Sequence, residues 1–71
     1  MKKLIKITGM SCDHCVKAVE KALKNVEGIS DVSVSLANNQ ATAQCDTSIT
    51  DNILKEIIEE EGYGVSAVSQ I

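Results

Sequence analysis

Residues 5–16 have the sequence IKITGMSCDHCV, in which the pattern of a strand gives way to the pattern of a helix. Ile5 and Ile7 alternate with polar residues, which predicts a half-buried strand, and Gly9 ends it. From Cys15 onward, apolar residues recur at helical spacing. The further apolar positions of this helix are Val16, Val19, Ala22, Leu23 and Val26.

The rest of the chain contains three more strand patterns and a second helix pattern. Alternation predicts a second strand at Val32, Val34 and Leu36, and a third at Ala41, Ala43 and Cys45. Helical spacing returns at Ile53, Leu54, Ile57 and Ile58. Candidate caps for this helix are Thr47, Ser48 and Thr50. A last short strand is predicted around Val65 and Ala67.

The predicted element order is βαββαβ, and each helix is apolar on one face. This order favours a ferredoxin-like α+β fold, in which two helices cover one face of a four-stranded antiparallel sheet. We expect one domain that spans residues 1–71. The strand directions bring the loop with Cys12 and Cys15 to the same end of the sheet as Tyr63, and they place Cys45 at the opposite end.

Composition excludes several classes of protein. The net charge of −3 argues against nucleic-acid binding, which requires a basic surface. Three cysteines cannot all pair in disulfides within one chain. No signal-peptide pattern follows Met1, and no apolar run reaches transmembrane length. We therefore expect a cytoplasmic protein that is not embedded in a membrane and whose thiols stay reduced.

Cys12 and Cys15 carry most of the chemical information. A helix N-terminus offers free backbone N–H groups and a positive dipole end, which favour thiolate over thiol. Two thiolates in an accessible loop make a soft site of low coordination number, which selects Cu(I) among biological metals. A structural zinc site requires four ligands. The same pair also permits dithiol redox chemistry, so the cysteines alone leave two uses open.

Residues 9–15, GMSCDHC, resemble the GMxCxxC motif of the heavy-metal-associated domain family. Residues 16–20, 28–34 and 61–63 are also similar to this family, so the resemblance covers nearly the whole chain. Within the family, the chain is most similar to free-standing bacterial copper chaperones of the CopZ type. The resemblance implies that Cys12 and Cys15 hold Cu(I) and that the ion is delivered to a copper-transporting P-type ATPase.

Three neighbours of the cysteines are candidates for a supporting role. Met10 carries a thioether, but a Met at a strand end more often fills the core beneath a loop, and the resemblance agrees. His14 lies between the two thiols in sequence, and we expect it to tune the thiolates rather than bind metal. The resemblance makes Tyr63 a lid that limits solvent access and tunes the site.

Two further features lie outside the metal motif. Lys17, Lys21 and Lys24 fall on one face of the first helix, where they form either a solvated face or a docking surface for an acidic partner. Cys45 shares the alternation of Ala41 and Ala43. We expect it to be a buried, unreactive thiol.

The resulting hypothesis is a Cu(I) metallochaperone rather than an enzyme, with the N-terminal metal-binding domain of a copper-transporting P-type ATPase as its partner. We expect the apoprotein to be a monomer, and a copper-bridged dimer stays an alternative for the loaded protein. The competing functions are a dithiol oxidoreductase and a mercury- or zinc-handling member of the same family. Zinc members tend to place an acidic residue directly before the first cysteine, where this chain has Ser11.

Overall fold

A computed structural model describes residues 1–71 and contains four strands and two helices. The elements are β1 (Lys2–Thr8), α1 (Asp13–Lys24), β2 (Ile29–Ser35), β3 (Gln40–Cys45), α2 (Asp51–Glu60) and β4 (Gly64–Gln70). The sheet order is β2-β3-β1-β4, and every neighbouring pair is antiparallel. This layout confirms the predicted ferredoxin-like βαββαβ fold.

The core lies between the sheet and the two helices. Its twelve buried residues are all apolar or cysteine, and no polar or charged side chain is buried with them. From the helices, Val19 and Leu23 of α1 and Leu54 and Ile58 of α2 are fully shielded from solvent. Removing a fully buried Leu from such a core generally costs about 2–5 kcal/mol, because the cavity does not close completely. The helical periodicity of these residues therefore reflects their contact with the sheet.

Each helix begins where hydrogen bonds to its first backbone N–H groups are formed. The carbonyl oxygen of Cys12 accepts bonds from the N–H groups of Cys15 at 3.0 Å and Val16 at 3.3 Å, so α1 begins before Cys15. In α2, the hydroxyl of Thr50 accepts a bond from the N–H of Ile53 at 3.2 Å. Of the three candidate caps, Thr50 is the one at the N-cap position of the helix.

Two β-bulges change the faces that simple alternation predicts. In β2, the register shifts between Ser30 and Ser33, and Asp31 adopts a left-handed backbone conformation with φ of 50°. This strand begins at Ile29 and ends at Ser35, so Leu36 lies just outside it. In β4, the register shifts by one residue, and Ala67 is exposed opposite Lys6. The predicted last strand therefore exists, and its bulge places Val65 and Ala67 on different faces.

The central strand β1 separates the two cysteine environments. At one end, Thr8 pairs with Gly64 of β4, next to the loop that carries Cys12. At the other end, the N–H of Cys45 donates to the Met1 carbonyl at 2.7 Å, and the Met1 amine donates to the Cys45 carbonyl at 2.9 Å. A seven-residue strand is roughly 20 Å long. Cys45 is therefore remote from the other two cysteines.

Cys45 should resist alkylation in the folded protein. Its side chain is 3% exposed, and burial raises the pKa of its thiol, so both access and thiolate content are low. With iodoacetamide at pH 8, mass spectrometry should show modified Cys12 and Cys15 and unmodified Cys45. A sample in denaturant, in which all three label, is the control. Native labelling of Cys45 as fast as Cys12 would show that β3 does not bury this thiol.

Candidate metal site

The loop between β1 and α1 carries both cysteines and is held by a turn and a buried side chain. Gly9 adopts φ of +92°, a conformation that a residue with a side chain rarely takes, so glycine allows the chain to turn sharply after β1. Met10 is 8% exposed and belongs to the core cluster. Its packing anchors the loop from below and places its thioether in the core.

The two cysteine side chains lie within reach of one shared ion. Their Sγ atoms are 3.8 Å apart, and both thiols are free. A metal–thiolate bond is about 2.3 Å long, so the sulfurs of a linear two-coordinate site would be about 4.6 Å apart. The present spacing permits a bent arrangement, and a change of less than about 1 Å would permit a linear one. Cys12 is exposed, whereas Cys15 is partly buried.

The pKa of the Cys15 thiol is lowered from 9.0 to about 6. The largest cause is the backbone N–H of Ser11, followed by the hydroxyl of Tyr63. The backbone N–H of Cys12 and the Ser11 hydroxyl, whose Oγ lies 3.9 Å from the Cys15 sulfur, act in the same direction. Partial burial opposes them. Because these donors favour the charged form, Cys15 is mainly a thiolate at neutral pH.

The end of helix α2 delivers Tyr63 to the site. The N–H of Gly62 donates to the Glu59 carbonyl at 3.0 Å, and the N–H of Tyr63 donates to the Ile58 carbonyl at 3.4 Å. These two bonds form a Schellman motif, and the φ of +94° at Gly62 makes the motif possible. The chain therefore leaves the helix with Tyr63 pointing toward the cysteine loop.

Tyr63 contacts both the loop backbone and Cys15. Its Cδ1 atom is 3.7 Å from the position that a Cβ on Gly9 would occupy, so the ring packs closely over the glycine. The pKa of the Tyr63 hydroxyl is raised, mainly because the hydroxyl donates a hydrogen bond to Cys15. The same interaction also contributes to the lowered pKa of Cys15, for which the Ser11 N–H is the larger cause.

The structure does not add a third ligand of the usual kinds to the cysteine pair. His14 is exposed in the first turn of α1. No cluster of three or more His, Cys, Asp or Glu side chains is arranged to hold a metal ion. Ser11 is the neighbour whose importance the sequence pattern did not indicate. Its position directly before the first cysteine was the available signal, since the resulting loop directs its N–H at Cys15.

The three lysines of α1 are all exposed, but they are not equivalent. The Nζ of Lys24 lies 2.8 Å from Glu20 in an ion pair between residues four apart. Lys17 and Lys21 form no ion pair within the protein. Of the three lysine charges along α1, two are therefore free to meet an external partner. Neither helix is long and apolar enough to cross a membrane.

Comparisons with known proteins agree with this geometry. Residues 4–64 match the model of the heavy-metal-associated domain. Copper chaperone CopZ of Staphylococcus epidermidis is 45% identical over 64 residues, which cover 89% of this chain and 94% of that protein. The chain is also similar to the solved structure of a CopZ metallochaperone, with 39% identity and a TM-score of 0.86 over 92% of this chain and 98% of that one.

A domain of a larger transporter has the same architecture. A copper-binding domain from HMA7, a P-type ATPase, is 35% identical and superposes with a TM-score of 0.86. The match covers 99% of this chain and 100% of that domain. The match of residues 4–64 to the family model, the shared fold and the extent of the similarity lead to one conclusion: this chain belongs to the heavy-metal-associated domain family.

Proposed function

We propose that this protein is a cytoplasmic copper chaperone that binds one Cu(I) through Cys12 and Cys15 and passes it to a copper-transporting P-type ATPase. The observation that carries the proposal is the pair of sulfurs, 3.8 Å apart in an accessible loop, one of which is a thiolate at neutral pH. The relatives named copper chaperone support a metal carrier rather than an enzyme. The copper chaperone name of the 45% identical relative favours copper as the cargo.

The ligand chemistry favours Cu(I) over other metals. Thiolates are soft ligands, and Cu(I) accepts a low coordination number, whereas a structural Zn²⁺ site is almost always tetrahedral. Two sulfurs without a third clustered ligand suit the low coordination number of Cu(I) and do not complete a tetrahedral Zn²⁺ site. Zinc handling by this chain would require ligands from a partner. Hg(II), another soft ion, is the competitor that the ligand set itself does not exclude.

The different exposure of the two sulfurs supports transfer by ligand exchange. Cys12 is exposed, and its side chain makes no capping bond to α1, so an incoming thiolate can approach its sulfur. Cys15 is held by Ser11 and Tyr63. A thiolate of the partner adds to the ion and produces a three-coordinate intermediate. Cys12 then leaves, a second partner thiolate replaces Cys15, and Cu(I) is never released as a bare ion.

The free charges of Lys17 and Lys21 fit docking to an acidic partner surface. Both lie on α1, whose first turn contains Cys15, so a partner that meets them also meets the site. Charges at the edge of an interface mainly affect the rate of encounter and its salt dependence. Lys24 contributes less to this surface, because Glu20 already neutralises it. The partner is expected to be an N-terminal metal-binding domain of the ATPase.

Dithiol exchange is the second function that the cysteine pair permits. A thiolate at neutral pH also attacks disulfides, so the lowered pKa of Cys15 suits either chemistry. The two functions differ in turnover. Insulin reduction at a catalytic rate would favour the oxidoreductase, whereas tight Cu(I) binding without turnover would favour the chaperone.

Replacement of either Cys12 or Cys15 by Ser should abolish tight Cu(I) binding, because one thiolate cannot chelate. Anaerobic competition with a Cu(I)-specific chelator should give one ion per chain for the wild type and no competitive binding for either variant. Cys45→Ala is the matched control, since it removes a thiol at the other end of the sheet and should leave the stoichiometry unchanged. Wild-type affinity in both serine variants would refute the site.

The pH dependence of the Cys15 thiol should depend on Tyr63. In a variant with Cys12→Ser and Cys45→Ala, the alkylation rate of Cys15 should rise with a midpoint near pH 6. The midpoint should move upward on Tyr63→Phe, because the ring stays and only its hydroxyl donor is lost. The denatured chain should titrate near 9.0, the ordinary value.

The lowered pKa of Cys15 also makes the stability of the folded apoprotein depend on pH. The folded-state pKa of Cys15 is lowered, so its contribution to apoprotein stability is fully present above about pH 9 and is lost as the pH falls through about 6. A folded-state midpoint near pH 9 in the alkylation experiment would contradict both the pKa and this linkage.

Charge reversal on α1 should slow copper transfer without weakening copper binding. Lys21→Glu should reduce the transfer rate to an acidic partner domain several-fold at low salt, and the difference should shrink as salt shortens the Debye length to about 8 Å. Lys55→Glu makes the same charge change on α2 and is the matched control. Equal transfer rates for the two variants at low salt would show that the lysines of α1 form an ordinary solvated surface with no role in docking.

A further inference from the structure

Two reciprocal contacts join β1 to the start of β4 beside the cysteine loop. Thr8 lies directly opposite Gly64 in the strand register. A Cβ added to Gly64 would collide with Oγ1 of Thr8, so the hydroxyl fills the space that a side chain at residue 64 would need. At the neighbouring pair of residues, the glycine follows β1 and the large side chain precedes β4. The Tyr63 ring packs over Gly9, with Cδ1 at 3.7 Å from the position that a Cβ on Gly9 would occupy.

These contacts constrain how the two chain segments approach each other. Thr8 rests on the bare backbone at Gly64, and Tyr63 rests on the bare backbone at Gly9. Sliding or separation of the segments would disturb both contacts together, because residues 8 and 9 are adjacent and so are residues 63 and 64. The Schellman motif determines where the chain leaves α2, and the Thr8 contact determines how closely it then approaches β1.

We propose that Thr8 and Gly64 form a positioning pair that fixes the Tyr63 side chain beside Cys15. Neither residue touches the sulfurs. Their effect on metal retention is exerted through Tyr63, and in that respect the inference rests on the proposed copper function. The placement of Tyr63 in the metal-free protein does not depend on that function.

The obstacle at Gly64 is a single atom. The Cβ of Thr8 lies 3.7 Å from the added Cβ position, which is ordinary van der Waals contact, and only Oγ1 is too close. Threonine is β-branched, so its χ1 angle is stiff, and one of its two other staggered positions brings the methyl group into the same region. An alanine at residue 64 therefore crowds Thr8 and is compatible with Ala at residue 8. The double change removes two heavy atoms from residue 8 and adds one at residue 64, so it relieves the contact without overpacking.

This size relation makes a compensation experiment possible. Tyr63 is the only Phe, Tyr or Trp residue, so the near-UV circular dichroism of the reduced apoprotein reports on this side chain alone, and the only other ring resonances in its NMR spectrum are those of His14. Gly64→Ala should change both signals by crowding the contact. Thr8→Ala with Gly64→Ala should restore them, whereas Thr8→Val with Gly64→Ala should not, since valine keeps the obstructing branch.

Single substitutions at Thr8 provide a second route if Gly64→Ala fails to fold. Thr8→Ala should weaken the dichroism of Tyr63, because it removes the atom that supports β4, and Thr8→Val should preserve the signal. Unchanged Tyr63 signals in Thr8→Ala, or equal signals in the two double variants, would overturn the positioning pair. Thermal melts of each variant separate loss of position from loss of folding.

A copper measurement tests whether position matters at the site. The rate at which Cu(I) is lost to a competing chelator should rise in Gly64→Ala, by at most the factor seen for Tyr63→Ala and within the roughly 10–100-fold range of residues that support metal ligands. Gly64→Ala should add nothing in the Tyr63→Ala background, in which the side chain that it displaces is absent. An additional loss there would show that Gly64 acts other than through Tyr63. Absence of Cu(I) binding in the wild type would instead refute the proposed function.

Discussion

Strand β1 pairs with β3 on one side and with β4 on the other, and the candidate site depends on this double pairing. The pairing with β4 brings Tyr63 to the loop that follows β1, although 47 residues or more of chain separate them in sequence. Ile5 and Ile7 hold the strand against the helices, and the loop begins where this buried segment ends. Cys12 is therefore accessible to solvent, and the loop that carries both cysteines is attached to one of the two inner strands of the sheet.

A metal carrier must satisfy two requirements that oppose each other. The thiolates must be stable enough at neutral pH to take up an ion, and accessible enough to give it away. Here the requirements are divided between the two cysteines. Hydrogen-bond donors from Ser11 and Tyr63 stabilise the charge on Cys15, which is partly buried, while Cys12 is exposed and makes no capping bond. A closed tetrahedral site would hold the ion more firmly and would hinder its transfer.

The fold and the cysteine pair could be predicted from local patterns, but several details could not. Helical spacing and alternation identified all six elements because one face of each element is buried. The bulge that exposes Ala67 in β4 could not be predicted, since bulges leave no period in the sequence. Ser11 was missed because its backbone N–H acts on Cys15, and every residue other than proline has such a group. The contact of Thr8 with Gly64 depends on register, which connects residues that are distant in sequence.

X-ray absorption at the copper edge of the protein loaded with one Cu(I) per chain shows whether Cys12 and Cys15 alone hold the ion, because it reports the number and type of atoms bound to it. We expect two sulfur neighbours and no nitrogen neighbour in dilute monomeric protein, since Cys12 and Cys15 are the two thiols that lie together and His14 is exposed outside a ligand cluster. A nitrogen neighbour, or a shell of four sulfurs, would contradict this expectation.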